Sequence, residues 1–312
     1  MNRALILSED ADVYHDLLRD TELPGLTLHV ATDADKGRAL APECDIILGK
    51  PALVAQVLDT AERLSWVQST FAGVDALLED GLPRGYTLTG VKDVFGPLMS
   101  EYVLGWLIAL ERQFFALREQ QRGHVWAERQ YRGLGGRTMG IAGLGSIGQH
   151  IAGTANHFGL DVIGYKRRAS DVPGVRRVYA GDEWDRFLEG LDYLVLTLPD
   201  TPETHHLVDA AALERLPAHA WVVNVGRGPL IDSDALAGAL RDGRIAGAVL
   251  DVFETEPLPA DSPLWDLENC YVTPHVAAES FPEDIVEIFR RNYARYRDGE
   301  ALDYVIDFAR GY

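Results

Sequence analysis

Lysine is scarce in this 312-residue chain: Lys36, Lys50, Lys92 and Lys166 are the only four among 29 basic residues, against 48 aspartates and glutamates. The formal net charge of −19 excludes the basic surface that general binding to nucleic acid or to an anionic membrane requires. Cysteine is scarcer still. Cys44 and Cys270 lie far apart and match no metal-ligand spacing, and such sparing use agrees with a reducing compartment. Long hydrophobic runs are missing as well. The most apolar helical segment, Tyr102 to Leu110, is nine residues long and bracketed by Glu101 and Glu111, about half of the ~20 residues a bilayer span needs. The opening MNRALILSED carries acids where a secretory signal would carry its apolar stretch. No internal repeat and no low-complexity linker interrupts the chain. These absences lead to the expectation of a cytoplasmic protein with no catalytic metal.

What is present is an ordinary globular composition, 47% hydrophobic and 25% charged, arranged as short apolar strands alternating with helical patterns. That alternation predicts an α/β fold with largely parallel sheets. Strands are expected at Ala4 to Leu7, Asp45 to Leu48 and Leu64 to Ser69, and helices at Val13 to Arg19 and Ala52 to Asp59. One long helical stretch is expected from Ser100 to Glu119. A second series follows, with strands at Thr138 to Ala142, Asp161 to Tyr165, Tyr193 to Leu198, Trp221 to Val225, Ala246 to Val252 and Tyr271 to Thr273. The helical pattern of Glu283 to Tyr296 is expected to return to the N-terminal part. The predicted division is an outer domain of residues 1–98 and 278–312 around a dinucleotide-binding domain of residues 99–277.

The phrase Thr138-Met-Gly-Ile-Ala-Gly143-Leu144-Gly145-Ser146-Ile147-Gly148 places Gly-x-Gly-x-x-Gly between a strand and a helix. Gly143 suits a tight turn, Gly145 lets backbone approach a pyrophosphate, and Gly148 lets helix pack on strand. The helix N-terminus then offers N–H groups to phosphates. At the end of the next strand, an NAD-specific site would carry an acid for the ribose hydroxyls. Here the chain reads Tyr165-Lys166-Arg167-Arg168. Guanidinium and ammonium groups there suit a 2′-phosphate, which makes NADP(H) the preferred cofactor and NAD(H) a possible one. A solvated basic loop is the alternative.

Three further phrases close successive strands: Asn224-Val225-Gly226-Arg227-Gly228, Asp251-Val-Phe-Glu-Thr-Glu256-Pro257 and Thr273-Pro-His275-Val-Ala. An arginine, a carboxylate and a histidine at strand C-termini are what reduction of a 2-keto acid asks for. The arginine grips an anionic substrate and polarises its ketone. The histidine supplies the proton that the nascent alkoxide needs, and a carboxylate beside it favours imidazolium.

With the glycine fingerprint, these phrases closely resemble the D-isomer-specific 2-hydroxyacid dehydrogenase family, nearest its glyoxylate/hydroxypyruvate reductase branch. The resemblance implies two Rossmann-like doubly wound parallel-sheet domains with a cleft between them. It implies Arg227 as substrate anchor, His275 as proton donor and acceptor, and Glu256 as the partner of His275. Phe71-Ala72-Gly73-Val74-Asp75 resembles the family's substrate-carboxylate loop, so Ala72 and Gly73 become backbone contacts. Leu198, Pro199 and Thr204 would lie along the cofactor, as would Val225 and Gly226, and Asp251 would stand near the nicotinamide amide. The partner is a small 2-keto or 2-hydroxy acid, and the assembly a homodimer. Lys50 is read as a surface residue in preference to one at the substrate mouth. Trp126 either borders a partner's pocket or packs inside its own chain. The remaining histidines, the His205-His206 pair included, have no comparable setting. Two other functions stay open: a nucleotide-sensing binding protein on a dehydrogenase scaffold, and a dehydrogenase for a larger 2-keto acid.

Overall fold

A computed structural model describes residues 1–311. The chain divides into two compact units, residues 1–94 with 280–312 and residues 95–279.

The outer unit is built on β1 (Asn2–Leu7), β2 (Leu26–Ala31), β3 (Ile46–Gly49), β4 (Trp66–Ser69) and β5 (Thr87–Thr89), ordered β2-β1-β3-β4-β5 and wholly parallel. The central strands β3 and β4 are buried along their whole length. That is why β3 reads as an unbroken apolar run, Ile-Ile-Leu-Gly, rather than an alternating one, whereas β4 buries the polar Gln68 and Ser69 as well. Residues 280–312 return here because the helix Pro282–Asp298 brings an amphipathic face to this sheet. Phe289 stacks on the fully buried Trp66 at 5.2 Å and 9°, and Tyr296 does so at 5.5 Å. A buried polar network completes the attachment. Trp66 Nε1 donates to Thr89 Oγ1 at 2.8 Å, Thr89 donates to Gln68 Oε1 at 2.8 Å, and Asn292 Nδ2 donates to the same oxygen at 3.1 Å. Every member has a partner, as a network in low dielectric must.

The second unit carries β6 (Thr138–Ala142), β7 (Asp161–Tyr165), β8 (Arg177–Tyr179), β9 (Tyr193–Leu196), β10 (Trp221–Asn224), β11 (Gly247–Leu250) and β12 (Cys270–Val272). Their order is β12-β11-β10-β9-β6-β7-β8, all parallel. The chain winds outward from β6 through β7 to β8, then crosses back to β9 and winds the other way. This is a doubly wound sheet with its switch point between β6 and β9. The helix Ser233–Arg241 starts where Asp232 accepts the Ala235 amide at 2.9 Å, an N-cap of the usual kind.

Two local expectations differ from what is found, and three strands lie where none is expected. The helical run expected from Ser100 to Glu119 is two helices, Gly96–Glu111 and Phe114–Arg122, broken at Gln113, whose φ is +56°. The break is held from a distance: the Gln113 amide bonds Arg129 and Gln130, and Arg112 stacks over Tyr131 at 4.3 Å. The helix expected over Ala52 to Asp59 is the short Pro51–Ala55 followed by a separate 3₁₀ turn at Leu58–Thr60. Strands β2, β5 and β8 lie at sheet edges, partly exposed, and the last two span three residues each, too few to show a period.

Truncating Trp66 to Ala removes the ring on which the C-terminal helix stacks and leaves a cavity in the outer core. We expect a loss of about 3–5 kcal/mol, read as a lowered denaturation midpoint relative to wild type. A loss below ~1 kcal/mol would show that the stack does not hold residues 280–312 to this sheet.

Candidate active site

Parallel winding sends the C-terminal ends of β6, β9, β10, β11 and β12 to one edge of the second unit's sheet. The glycine phrase follows β6. Gly143 takes φ +103°, and its N–H donates to the Tyr165 carbonyl at 2.9 Å. Gly148 has no room for a side chain, since a β-carbon would stand 1.9 Å from the Gly143 carbonyl oxygen. Gly145 is the opposite case: it begins the helix Ser146–His157, is exposed with Ser146, and a β-carbon there would meet nothing within 4 Å. Backbone N–H groups at a helix start, beside open space that a side chain would occupy, fit a dinucleotide pyrophosphate. Leu144 is buried and packs on Gly164 of β7, while Ile147 is half-buried. After β7, Lys166 is half-buried with its ammonium 3.0 Å from Ser170 Oγ, and Arg167 and Arg168 are exposed.

The loop after β9 closes on itself. The Thr204 hydroxyl donates to the Pro199 carbonyl at 2.7 Å and accepts the Thr201 amide at 2.8 Å. Thr204 therefore shapes the Leu198–Thr204 loop. Gly226 fits beneath the same loop, since a β-carbon there would lie 2.8 Å from the Leu198 carbonyl oxygen, and Val225 beside it is buried.

The turn after β10 presents Arg227, half-buried. Asn224 braces it: its Oδ1 accepts the Gly226 amide at 3.1 Å, and its Nδ2 donates to the Arg227 carbonyl at 2.9 Å. Asn224 stood in the sequence phrase with no role assigned, although an Asn two residues before a Gly in a turn is a recognisable brace. Thr197 is a second omission. Its hydroxyl donates to the Gly143 carbonyl at 2.6 Å, tying β9 to the glycine turn.

Asp251, after β11, is 1% exposed. Its carboxylate accepts the Thr273 hydroxyl at 2.6 Å and the amides of Val276 and Ala277, each at 2.9 Å. These bonds clamp the segment that carries His275. The main chain of His275 adopts φ +56°, with its N–H on the Asp251 carbonyl at 2.9 Å. A left-handed backbone at a residue with a β-carbon persists only where surroundings impose it, and such positions gather at functional sites.

His275 Nδ1 lies 2.8 Å from Glu256 Oε2, and Glu256 Oε1 accepts the Phe253 amide at 3.0 Å. The hydrogen bond to Glu256 raises the His275 pKa above the ordinary histidine value. Partial burial works against that rise, and the charges of Glu256 and Asp251 add to it. Burial pushes Glu256 upward, yet the bonds from His275 and the Phe253 amide, with the charges of His275 and Arg227, hold it below the usual carboxylate range. The pair thus favours imidazolium beside carboxylate, the state that can give a proton.

In the outer unit, the loop from Phe71 is pinned by Ser69, whose Oγ accepts the Phe71 amide at 3.0 Å and donates to its carbonyl at 2.7 Å. Ala72 is exposed and Gly73 half-exposed. Lys50 pairs with Glu9 at 2.9 Å. Trp126 does not pack inside its own chain: it is 100% exposed, in a stretch without regular structure that supplies no layer to cover it. Among the described residues, no group of three or more His, Cys, Asp and Glu is arranged to hold a metal ion, and no helix is long and apolar enough to cross a membrane.

Residues 104–277 match the family model of the D-isomer specific 2-hydroxyacid dehydrogenase NAD-binding domain. A D-isomer specific 2-hydroxyacid dehydrogenase family protein from Aeromonas salmonicida subsp. salmonicida A449 is 47% identical, with 98% of this chain and 99% of that one covered and a TM-score of 0.95. An enzyme of the same description from Xanthobacter autotrophicus Py2, solved with NADPH and MES, is 32% identical over 100% of both chains, with a TM-score of 0.88. An NADPH-dependent glyoxylate/hydroxypyruvate reductase from Sinorhizobium meliloti, solved with NADP and sulfate, is 30% identical over 100% of both, with a TM-score of 0.89. With the glycine turn, the arginine and the histidine–glutamate pair gathered at one sheet edge, this chain belongs to the D-isomer specific 2-hydroxyacid dehydrogenases, a family of oxidoreductases.

Proposed function

We propose that this enzyme reduces a small 2-keto acid, such as glyoxylate or hydroxypyruvate, using NADPH in preference to NADH. The observation that carries the reading is the 2.8 Å contact of His275 with Glu256, at the edge where Arg227 is also presented. Bound NADPH would supply the hydride. Gly143, Leu144, Gly145, Ser146, Ile147 and Gly148 would hold its pyrophosphate, with Leu198, Pro199, Thr204, Val225 and Gly226 along its length and Asp251 near the nicotinamide amide. Lys166, Arg167 and Arg168 would read its 2′-phosphate, in keeping with the NADPH and NADP bound by the Xanthobacter and Sinorhizobium enzymes.

Arg227 would anchor the substrate anion and draw electron density from the ketone oxygen as the carbon is reduced. Glu256 occupies Nδ1 of His275, which leaves Nε2 to pass its proton to the developing alkoxide. In the reverse direction neutral His275 would take that proton back. In the outer unit, the N–H groups of Ala72 and Gly73 are the proposed donors to a substrate carboxylate. The exposure of Phe114, Phe115, Val125, Trp126 and Tyr131, five large apolar residues within one 18-residue stretch, supports a homodimer, since clustered exposed apolar side chains mark interfaces. Sparing cysteine use supports a cytoplasmic location.

The direct test is NADPH oxidation against a panel of 2-keto acids, repeated with NADH at one ionic strength. No turnover with any of them would overturn the reading. His275→Asn should lower kcat by roughly 10²- to 10⁴-fold while cofactor affinity, read by fluorescence titration, stays near wild type. Near-normal turnover would remove His275 from the proton transfer. The pH dependence has a definite sign. Reduction needs imidazolium, so its rate falls as pH rises through the raised His275 pKa. Glu256→Gln removes the partner responsible, and the alkaline limb should move to lower pH. An unmoved limb would separate Glu256 from the titration.

For the cofactor, replacing Lys166 with Asp and Arg167 with Ala should weaken NADPH by about tenfold or more and improve NADH, measured as kcat/KM for each. A wild-type enzyme that prefers NADH would sink the NADPH assignment and leave the hydride transfer standing.

A further inference from the structure

His206 sits between two loops of the second unit that the proposed chemistry needs. Its backbone is left-handed, at φ +50°. Its N–H donates to the Pro229 carbonyl at 2.7 Å, two residues beyond Arg227. Its Nε2 lies 2.5 Å from Glu254 Oε1, two residues before Glu256. The Phe253–Glu254 peptide is already tight against Gly228, where a β-carbon would stand 1.8 Å from the Phe253 carbonyl carbon. The Phe253 amide in turn donates to Glu256 Oε1. The neighbouring ring of His205 stacks on His206 at 4.2 Å and 18°, with its own Nδ1 3.4 Å from Asp200. Glu254 is therefore gripped from one side by an imidazole and from below by the arginine-bearing turn.

We propose that His206 is a positioning residue: its imidazole fixes Glu254, and through Glu254 holds the Phe253–Glu256 loop where Glu256 reaches His275. The inference rests on the reading of His275 and Glu256 as the proton-transfer pair. The His206 and Glu254 side chains are 38% and 33% exposed, and ion pairs that wet contribute little to stability. What such a pair does supply is direction. A charge-assisted bond sets the path of one loop, while a non-glycine residue in left-handed backbone needs a local reason to be there.

The test compares pH–rate profiles of keto-acid reduction for wild type, His206→Gly and Glu254→Gln, with His275→Asn as reference. Glycine accepts φ +50° freely and keeps the N–H bond to Pro229, so thermal unfolding of His206→Gly should match or exceed wild type. Both variants should show an alkaline limb at lower pH, because Glu256 is no longer held on Nδ1. In both, kcat should fall, by up to about 10²-fold, with a smaller change in KM. The groups facing His275 are Glu256, Asp251 and Arg227, none of which is altered. If His206 and Glu254 acted on His275 only through space, losing the carboxylate would move the limb down, while losing the imidazole would leave it in place or move it up. That pattern, or a limb and kcat that do not change, overturns the proposal. If the wild-type limb survives in the residual activity of His275→Asn, the proton-transfer reading itself fails and the His206 role falls with it.

Discussion

A parallel sheet cannot be made from hairpins. Each strand has to be followed by a crossover that carries the chain back to the starting edge, so every strand ends at the same side of the sheet. In the second unit that constraint delivers Gly143, Thr197, Val225, Asp251 and Thr273 to one edge, each the residue next after its strand. The reversal of winding lies between β6 and β9, and such switch points are where ligands gather at the strand ends of open parallel sheets. Site residues that are scattered over more than a hundred positions become neighbours because the backbone hydrogen bonds admit no other exit.

Position alone does not make chemistry, and the charges of His275 and Glu256 are set by the partners each finds, against the effect of burial. Asp251 is a nearly inaccessible carboxylate, tolerable because a hydroxyl and two amides saturate it. Those same bonds bend the chain so that His275 takes its left-handed backbone. Asp251 and Glu256 then both favour the charged imidazole, and Arg227 opposes them. The Arg227 charge by itself discourages a cationic histidine. The two carboxylates offset it, which is the electrostatic reason for an acid beside the histidine.

The glycines show a second use of close packing. Gly148, Gly226 and Gly228 are small because backbone or side-chain atoms already fill the space. Gly145 is small for the opposite reason, with open space beside it. The first kind lets the loops stack closely enough for Asn224, Thr197 and Thr204 to fasten them. The second leaves the helix start accessible. The glycine phrase of residues 143–148 thus combines close contacts with an open helix start.

The sequence by itself determined the features whose cause is local. Thr138 to Ala142 and Asp161 to Tyr165 were legible as strands to the residue, because buried parallel strands are continuous apolar runs. The glycine fingerprint was legible because a positive φ, a tight contact and a helix start are all encoded within six residues. Arg227, Glu256 and His275 could be named from short phrases at strand ends, and the resemblance paired Glu256 with His275 across 19 residues, a contact the fold makes at 2.8 Å. Tertiary structure alone decided the rest. Gln113 breaks a helix through bonds to a segment 16 and 17 residues away, and Asp251 turns inward to clamp its neighbouring loop. His206, to which the sequence assigned no role, meets Glu254 across 48 residues. Periodicity reports which face of an element is buried. It carries no information on which distant side chain will satisfy a given polar atom, and that is settled only when the crossovers close and each buried donor must find its acceptor.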